Sequence, residues 1–141
     1  MTYIGSINNN KQKYLYFRTE ATDANDDATG DSALFPASSL MGMQPTSDTA
    51  LTLYFKSMLR GSGNEGAGDA LANLDNNDSV ILTVSANTHL VAMTAIVQAI
   101  NNPGSADVIV VANDDSGGTE YLAESGVSAC GTISVAAAYA N

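Results

Sequence analysis

The chain has 141 residues, 45% of them apolar, with 15 acidic and 5 basic side chains and a formal net charge of −10. That length suits one domain with a real core, and the acidic balance works against general affinity for nucleic-acid phosphate. A single cysteine, Cys130, excludes an intrachain disulfide framework and suits a reduced, intracellular origin. Only 14% of the residues are charged, so the polar surface leans on Asn, Ser, Thr and Gly, a composition suited to contact with other protein. The first residues lack the basic-then-apolar pattern of a secretory signal, and no apolar run approaches membrane-spanning length. A soluble protein is expected.

Residues 1–12 contain Asn8-Asn9-Asn10 and read as a loose end. Tyr14 to Thr19 is aromatic-rich and predicts a strand. Residues 20–32 carry acid, Gly and small polar groups without apolar period, which predicts a loop. Ala33 to Phe35 suggests a short strand ended by Pro36. Residues 36–49 are turn-rich, with Leu40, Met41 and Met43 expected to pack on a core or on a neighbouring subunit. Ala50 to Leu59 gives the strongest strand signal. Leu51, Leu53 and Phe55 alternate there with Thr52, Tyr54 and Lys56.

Residues 61–75 read as a loop insertion, and Ser79 to Asn113 as strand, helix, strand. In the helix Leu90, Met93, Val97 and Ile100 share one face, with Ile96 beside them. Asn87 or Thr88 can cap its start, and Asn101-Asn102-Pro103-Gly104 ends it. Asp114 to Gly118 is a tight turn, and Val127 to Tyr139 reads as a closing strand. Five or six strands and one main helix predict a single α+β domain, mainly β, with a strongly bent sheet or partly open barrel. Periodicity leaves open whether the strands flanking the helix pair parallel or antiparallel.

Sequence patterns that could carry chemistry are weak. Gly61 to Gly66 matches GxGxxG, but no long helix follows in register, so a flexible loop is expected and no cofactor. Asp23, Asn25, Asp27 and Asp31 space oxygen ligands like a calcium loop. Ala28 and Leu34 stand where an EF-hand needs Gly and Glu, and a solvated acidic loop is the expectation. His89 and Cys130 are the candidates for a nucleophile pair. Each alone is the usual structural residue, and no tight transition-metal spacing exists. The cations fall in two stretches, with Lys11, Lys13 and Arg18 in one and Lys56 and Arg60 in the other. Beside Tyr14, Tyr16, Phe17, Tyr54 and Phe55 they form a candidate base-stacking track, with Lys13, Arg18, Lys56 and Arg60 as phosphate contacts. The competing expectation gives these aromatics to core and subunit contacts. Unpaired strand edges predict a homo-oligomer, plausibly a ring, with Leu51, Leu53, Tyr54 and Phe55 as candidate oligomer contacts.

The ordered phrases YFRTEAT (16–22), FPASSLMGMQPTSDTALTLYF (35–55), DSVILTVSANTHLVAMTAIVQAIN (78–101), DVIVVANDDSG (107–117) and SACGTISV (128–135) resemble a large family of short proteins from marine metagenomes and T4-like cyanophages. The resemblance implies a cyanophage origin and an Sm-like fold, a bent five-stranded antiparallel barrel plus a helix, assembled into rings. It would overrule a parallel pairing. It carries over no catalytic residues. The 61–75 insertion and the tail Ala136 to Asn141 depart from the shorter relatives. The combined expectation is a non-enzymatic structural or assembly protein, in the virion or the host cyanobacterial cytoplasm, with itself and other virion proteins as partners and without membrane, metal or cofactor. The alternative is an Sm-like ring that binds RNA or DNA.

Overall fold

The computed structural model describes residues 12–58 and 77–135. Eight strands and one helix are laid out as β1 (Tyr14–Arg18), β2 (Ser32–Pro36), β3 (Leu40–Ser47), β4 (Ala50–Lys56), β5 (Asn77–Val84), α1 (His89–Asn101), β6 (Val108–Asn113), β7 (Glu120–Tyr121) and β8 (Val127–Ser134). They form two four-stranded sheets. Sheet A has the order β2-β1-β6-β7 and sheet B the order β3-β4-β5-β8. The mainly β expectation holds.

The sheet arrangement differs from the one the resemblance implied. There are two four-stranded sheets in place of one five-stranded sheet. Sheet B is antiparallel throughout, but β1 and β6 run parallel in sheet A. The strands that flank the helix do not pair with each other. β5 belongs to sheet B and β6 to sheet A, so α1 is a crossover between sheets. A thirteen-residue helix spans about 20 Å, enough to carry the chain from one sheet to the other.

Strand 3 was expected as loop. Pro45 and Gly42 hid it, because both are poor strand residues. An edge position accommodates them: β3 pairs only with β4, and its register shifts at both ends. The strand at β4 ends at Lys56, and β8 ends at Ser134. Gly131 sits where β5 and β8 shift register. A Cβ there would stand 2.9 Å from the Ile81 carbonyl oxygen, so the close approach needs glycine.

Period-two alternation builds the core. Leu15 and Phe17 of β1, Leu51, Leu53 and Phe55 of β4, Val80, Leu82 and Val84 of β5, and Ile109 and Val111 of β6 all point inward. Three rings lock the sheets together. Phe35 and Phe55 stack with centroids 4.1 Å apart, and Phe17 meets both edge-on at 6.1 and 5.9 Å. Phe17 and Phe35 come from sheet A and Phe55 from sheet B. The helix adds Ala92 and Ile96 to the core.

The expected helix face holds in part: Ile96 is buried and Met93 and Ile100 pack against the core, while Leu90 and Val97 turn outward. Leu90 is 73% exposed and Val97 44%. The helix is apolar almost all round, so period alone did not specify which stripe turns inward. Thr88 is the N-cap residue, but its hydroxyl donates to the Ser85 carbonyl at 2.7 Å and caps no helical N–H. Among the described residues no helix is long and apolar enough to cross a membrane.

Replacing Phe55 with Ala removes the stacked ring and leaves a cavity between the sheets. The expected loss is about 3–5 kcal/mol, read as a lower urea midpoint at unchanged slope. Phe55→Leu should lose distinctly less.

Candidate functional site

The residues proposed for chemistry turn out to be structural. His89 Nε2 lies 2.9 Å from the Ser47 carbonyl and 3.2 Å from that of Ala50. Carbonyls only accept, so Nε2 carries the proton and ties the start of α1 to the β3–β4 turn. Cys130 is buried on β8, and its thiol contacts the Gly131 carbonyl at 3.6 Å. Burial, followed by the charge of Asp114, pushes that thiol up to about 12, so it is not a thiolate near neutrality. His89 and Cys130 thus have separate duties. Among the described residues no group of His, Cys, Asp and Glu is placed to hold a metal ion.

The acidic loop is folded around a cation. Arg18 is buried at the end of β1. Its Nε donates to the Glu20 carbonyl at 2.8 Å and its Nη2 to the Thr22 carbonyl at 3.0 Å, while Nη1 reaches Asp26 at 3.4 Å and Asp115 at 3.8 Å. Desolvation opposes the charge, but Asp115 and then Asp26 outweigh it and hold the guanidinium above its ordinary value. Asp31 accepts the Ala28 N–H at 2.8 Å and the Asp27 N–H at 3.3 Å. The spaced oxygens of residues 23–31 are partly spent on their own loop and on Arg18.

Lys13 is also buried, with Nζ donating to the Ser105 carbonyl at 2.7 Å. Two of the four candidate phosphate contacts are therefore engaged inside the chain. Lys56 is exposed. Lys11, Arg60 and the GxGxxG stretch lie outside the described residues. The candidate oligomer contacts change in the same way. Leu51, Leu53 and Phe55 are fully buried within one chain, and Tyr54 alone of the four reaches the surface in part. The alternation on β4 was legible, but which sheet covered its apolar face was not.

Asp114 is the junction of the two sheets. It accepts the Tyr121 hydroxyl at 2.5 Å and the Cys130 N–H at 3.0 Å. The Thr19 hydroxyl donates to the Cys130 carbonyl at 3.0 Å. Side chains of sheet A and its loops thus occupy both backbone groups of Cys130 and bridge the gap beside β8. The hydrogen bond from the Tyr121 hydroxyl to Asp114, with burial and the Asp114 charge behind it, raises Tyr121 to about 12.

Two surfaces are left open. The first is the outer face of sheet A. Tyr14 pairs with Pro36 on one side and Val108 on the other, and Tyr16 pairs with Leu34 and Val110. Their neighbours Leu15, Phe17, Phe35, Ile109 and Val111 point into the core, so these six point out. Tyr14 is 36% exposed, Leu34 44% and Val108 45%. The six residues are contiguous and uncharged, and the buried Arg18 borders them at Tyr16. The corresponding face of sheet B carries Thr52, Tyr54, Ser79, Ile81 and Thr83, and the Thr46 and Thr52 hydroxyls bond across it at 2.9 Å.

The second is a groove of about 510 Å³ between α1 and residues 122–124. Leu90, Val91, Ala95 and Leu122 give it apolar walls, and Asn102 and Ser105 close one end. Thr94, Gln98 and Glu124 add polar groups to the groove lining. Sequence reasoning missed both, because each depends on register or on which helix stripe is buried. Comparison with protein-family models, curated proteins and solved structures finds no significant match.

The titration of Cys130 and Tyr121 fixes a pH dependence. Both groups are held neutral in the fold, from ordinary values of 9.0 and 10.0 up to about 12. A raised folded value means the native state keeps its proton longer than the unfolded chain. The stabilisation is complete below about pH 9 and is lost as pH climbs toward 12. Urea unfolding across this window should show falling stability, with a shallower fall in Tyr121→Phe and Cys130→Ala. A thiol reagent at neutral pH should modify native Cys130 at the rate of global or local opening, and the unfolded chain at once.

Proposed function

We propose that this chain is a non-enzymatic structural or assembly protein of a cyanophage, which self-associates into rings or higher arrays through the outer face of sheet A. The observation that carries the reading is the contrast between the two outer faces. One presents six uncharged, mostly apolar side chains, and the other mixes Thr and Ser with Tyr54 and Ile81. Contiguous exposed apolar surface of this kind marks an interaction site. Chains of net charge −10 repel one another, and they approach most easily where neither presents charge. Two sheets pack face to face about 10 Å apart. A second copy of this flat face therefore supplies a matching partner.

Cyanophage origin rests on the sequence resemblance, as does the Sm-like ring as the form of the assembly. The interface itself moves from the sheet edges to a sheet face. Of the four edge strands, β2 is five residues long and ends at Pro36, β3 carries Pro45, β7 has two residues, and Cys130 of β8 already has its backbone groups engaged. Those edges offer little continuous ladder to a neighbour.

Light scattering and negative-stain imaging of the purified protein test the reading. Closed rings or regular arrays are expected. Tyr14→Glu with Val108→Glu should reduce the particle to the mass of one chain, whereas Thr83→Glu on sheet B should leave it intact. A wild-type chain that stays monomeric at high concentration overturns the proposal. Salt-dependent binding of RNA, lost on Lys56→Glu, would favour the Sm-like nucleic-acid ring instead.

A further inference from the structure

We propose that the groove between α1 and residues 122–124 binds a primary alkylamine, with its ammonium at Glu124 and its chain against Leu90, Val91 and Leu122. Small-molecule sites are concave, with mostly apolar walls and a few polar groups that fix orientation, and about 510 Å³ is an ordinary size for one. Leu90 is 73% and Val91 50% exposed along the helical wall. An alkyl chain laid there removes aliphatic surface from water. The site is separate from the outer face of sheet A and does not depend on self-association.

Charge selects the occupant. Among the described residues that line the groove, Glu124 is the one ionisable side chain, and Lys and Arg are absent. Among the described residues no side chain pairs with its carboxylate. The chain as a whole carries −10, so an anionic amphiphile is repelled both at Glu124 and at long range. A neutral amphiphile covers the approach to the carboxylate and gives it no charged partner. An ammonium brings three N–H donors and a positive charge to it.

The backbone fixes where that carboxylate is carried. Glu124 has φ +59, a left-handed conformation that Gly or Asn takes more readily than Glu. The turn is held by Ser125, which is buried. Its Oγ donates to the Leu122 carbonyl at 2.6 Å and accepts the Val127 N–H at 3.1 Å. A carboxylate thus stands where Gly or Asn would be the easier residue, on a turn with a fixed course. A Cβ on Gly126 would lie 3.3 Å from Thr88 Oγ1, so this turn sits against the start of α1. The ammonium therefore belongs at the Leu90 end of the groove, and the alkyl chain runs toward Asn102 and Ser105.

Isothermal titration calorimetry of the full chain near neutral pH tests the assignment with octylamine, 1-octanol and octanoate, each below the concentration at which it aggregates. Octylamine should bind about threefold to fivefold more tightly than 1-octanol, the gain an exposed ion pair gives, and octanoate should bind most weakly. Glu124 is exposed, so its variants keep the fold. Glu124→Gln should bring amine and alcohol level, and Glu124→Lys should place octanoate ahead of octylamine. The lysine shifts a net charge of −10 by only two, so general attraction of cations to an acidic chain does not produce that reversal. Ala95→Phe, which narrows the groove, should weaken all three together. Equal affinities in the wild type overturn the proposal, as does an amine preference that survives Glu124→Lys or binding that Ala95→Phe leaves unchanged. A carboxylate beside a helix start also suits the helix dipole. Were that its whole role, Glu124→Gln would lower the melting temperature and keep the amine preference, which overturns the proposal too.

Discussion

Among the described residues no backbone ladder joins the two sheets, and the fold depends on what replaces it. Three phenyl rings do so inside, where Phe17 and Phe35 of sheet A close on Phe55 of sheet B. Asp114 and Thr19 do so at the margin, where they take the N–H and C=O of Cys130. The interior contact is non-directional and large, since aromatic rings bury most area per residue. The marginal contact is directional. It fixes how β8 lies against β6 and β7, and it satisfies polar backbone that would otherwise be costly to bury. A core of rings alone would tolerate sliding of one sheet on the other. The hydrogen bonds at Cys130 remove that freedom.

The same economy governs the basic residues. Of the few cations in the chain, Arg18 is used to fold the acidic loop back on β1, and Lys13 to hold the turn after α1 to the start of β1. Each bonds backbone carbonyls, and Arg18 also neutralises Asp26 and Asp115. Buried charges persist only when so partnered. The consequence for function is electrostatic. Two charges that would have offset the acidic surface face inward, so the exterior is more negative than the sequence total suggests. Any contact between copies then falls where charge is absent. Among the described residues, the outer face of sheet A offers such an apolar area.

Much of the fold was legible in the sequence. Strands with clean alternation, such as Leu51-Thr52-Leu53-Tyr54-Phe55, declare both their conformation and their inner face. The helix declared its ends through Asn102, Pro103 and Gly104. Strand 3 was hidden because an edge position tolerates Pro45 and Gly42, and edge status is a tertiary fact. The sheets were hidden for a related reason. Alternation says that one face is buried but not which strand lies beside which, so the parallel β1–β6 pair had no local signal. The interaction surface was less legible still. Tyr14, Leu34 and Val108 are distant in sequence, and only the register of β2, β1 and β6 makes them neighbours.

Helix α1 shows why apolar content and burial must be kept apart. Its sequence offers apolar residues to every side; Ala92 and Ile96 are buried in the core, and Met93, Ala99 and Ile100 pack against it. Leu90, Val91 and Val97 lie on the opposite, outward stripe. Had the outward stripe only needed to be wet, Lys or Glu would serve it better, since both favour helix and water. Instead the chain retains aliphatic side chains there, at a cost in solubility that an uncovered surface would not recover. That stripe forms one wall of the groove that runs from Leu90 to Asn102 and Ser105.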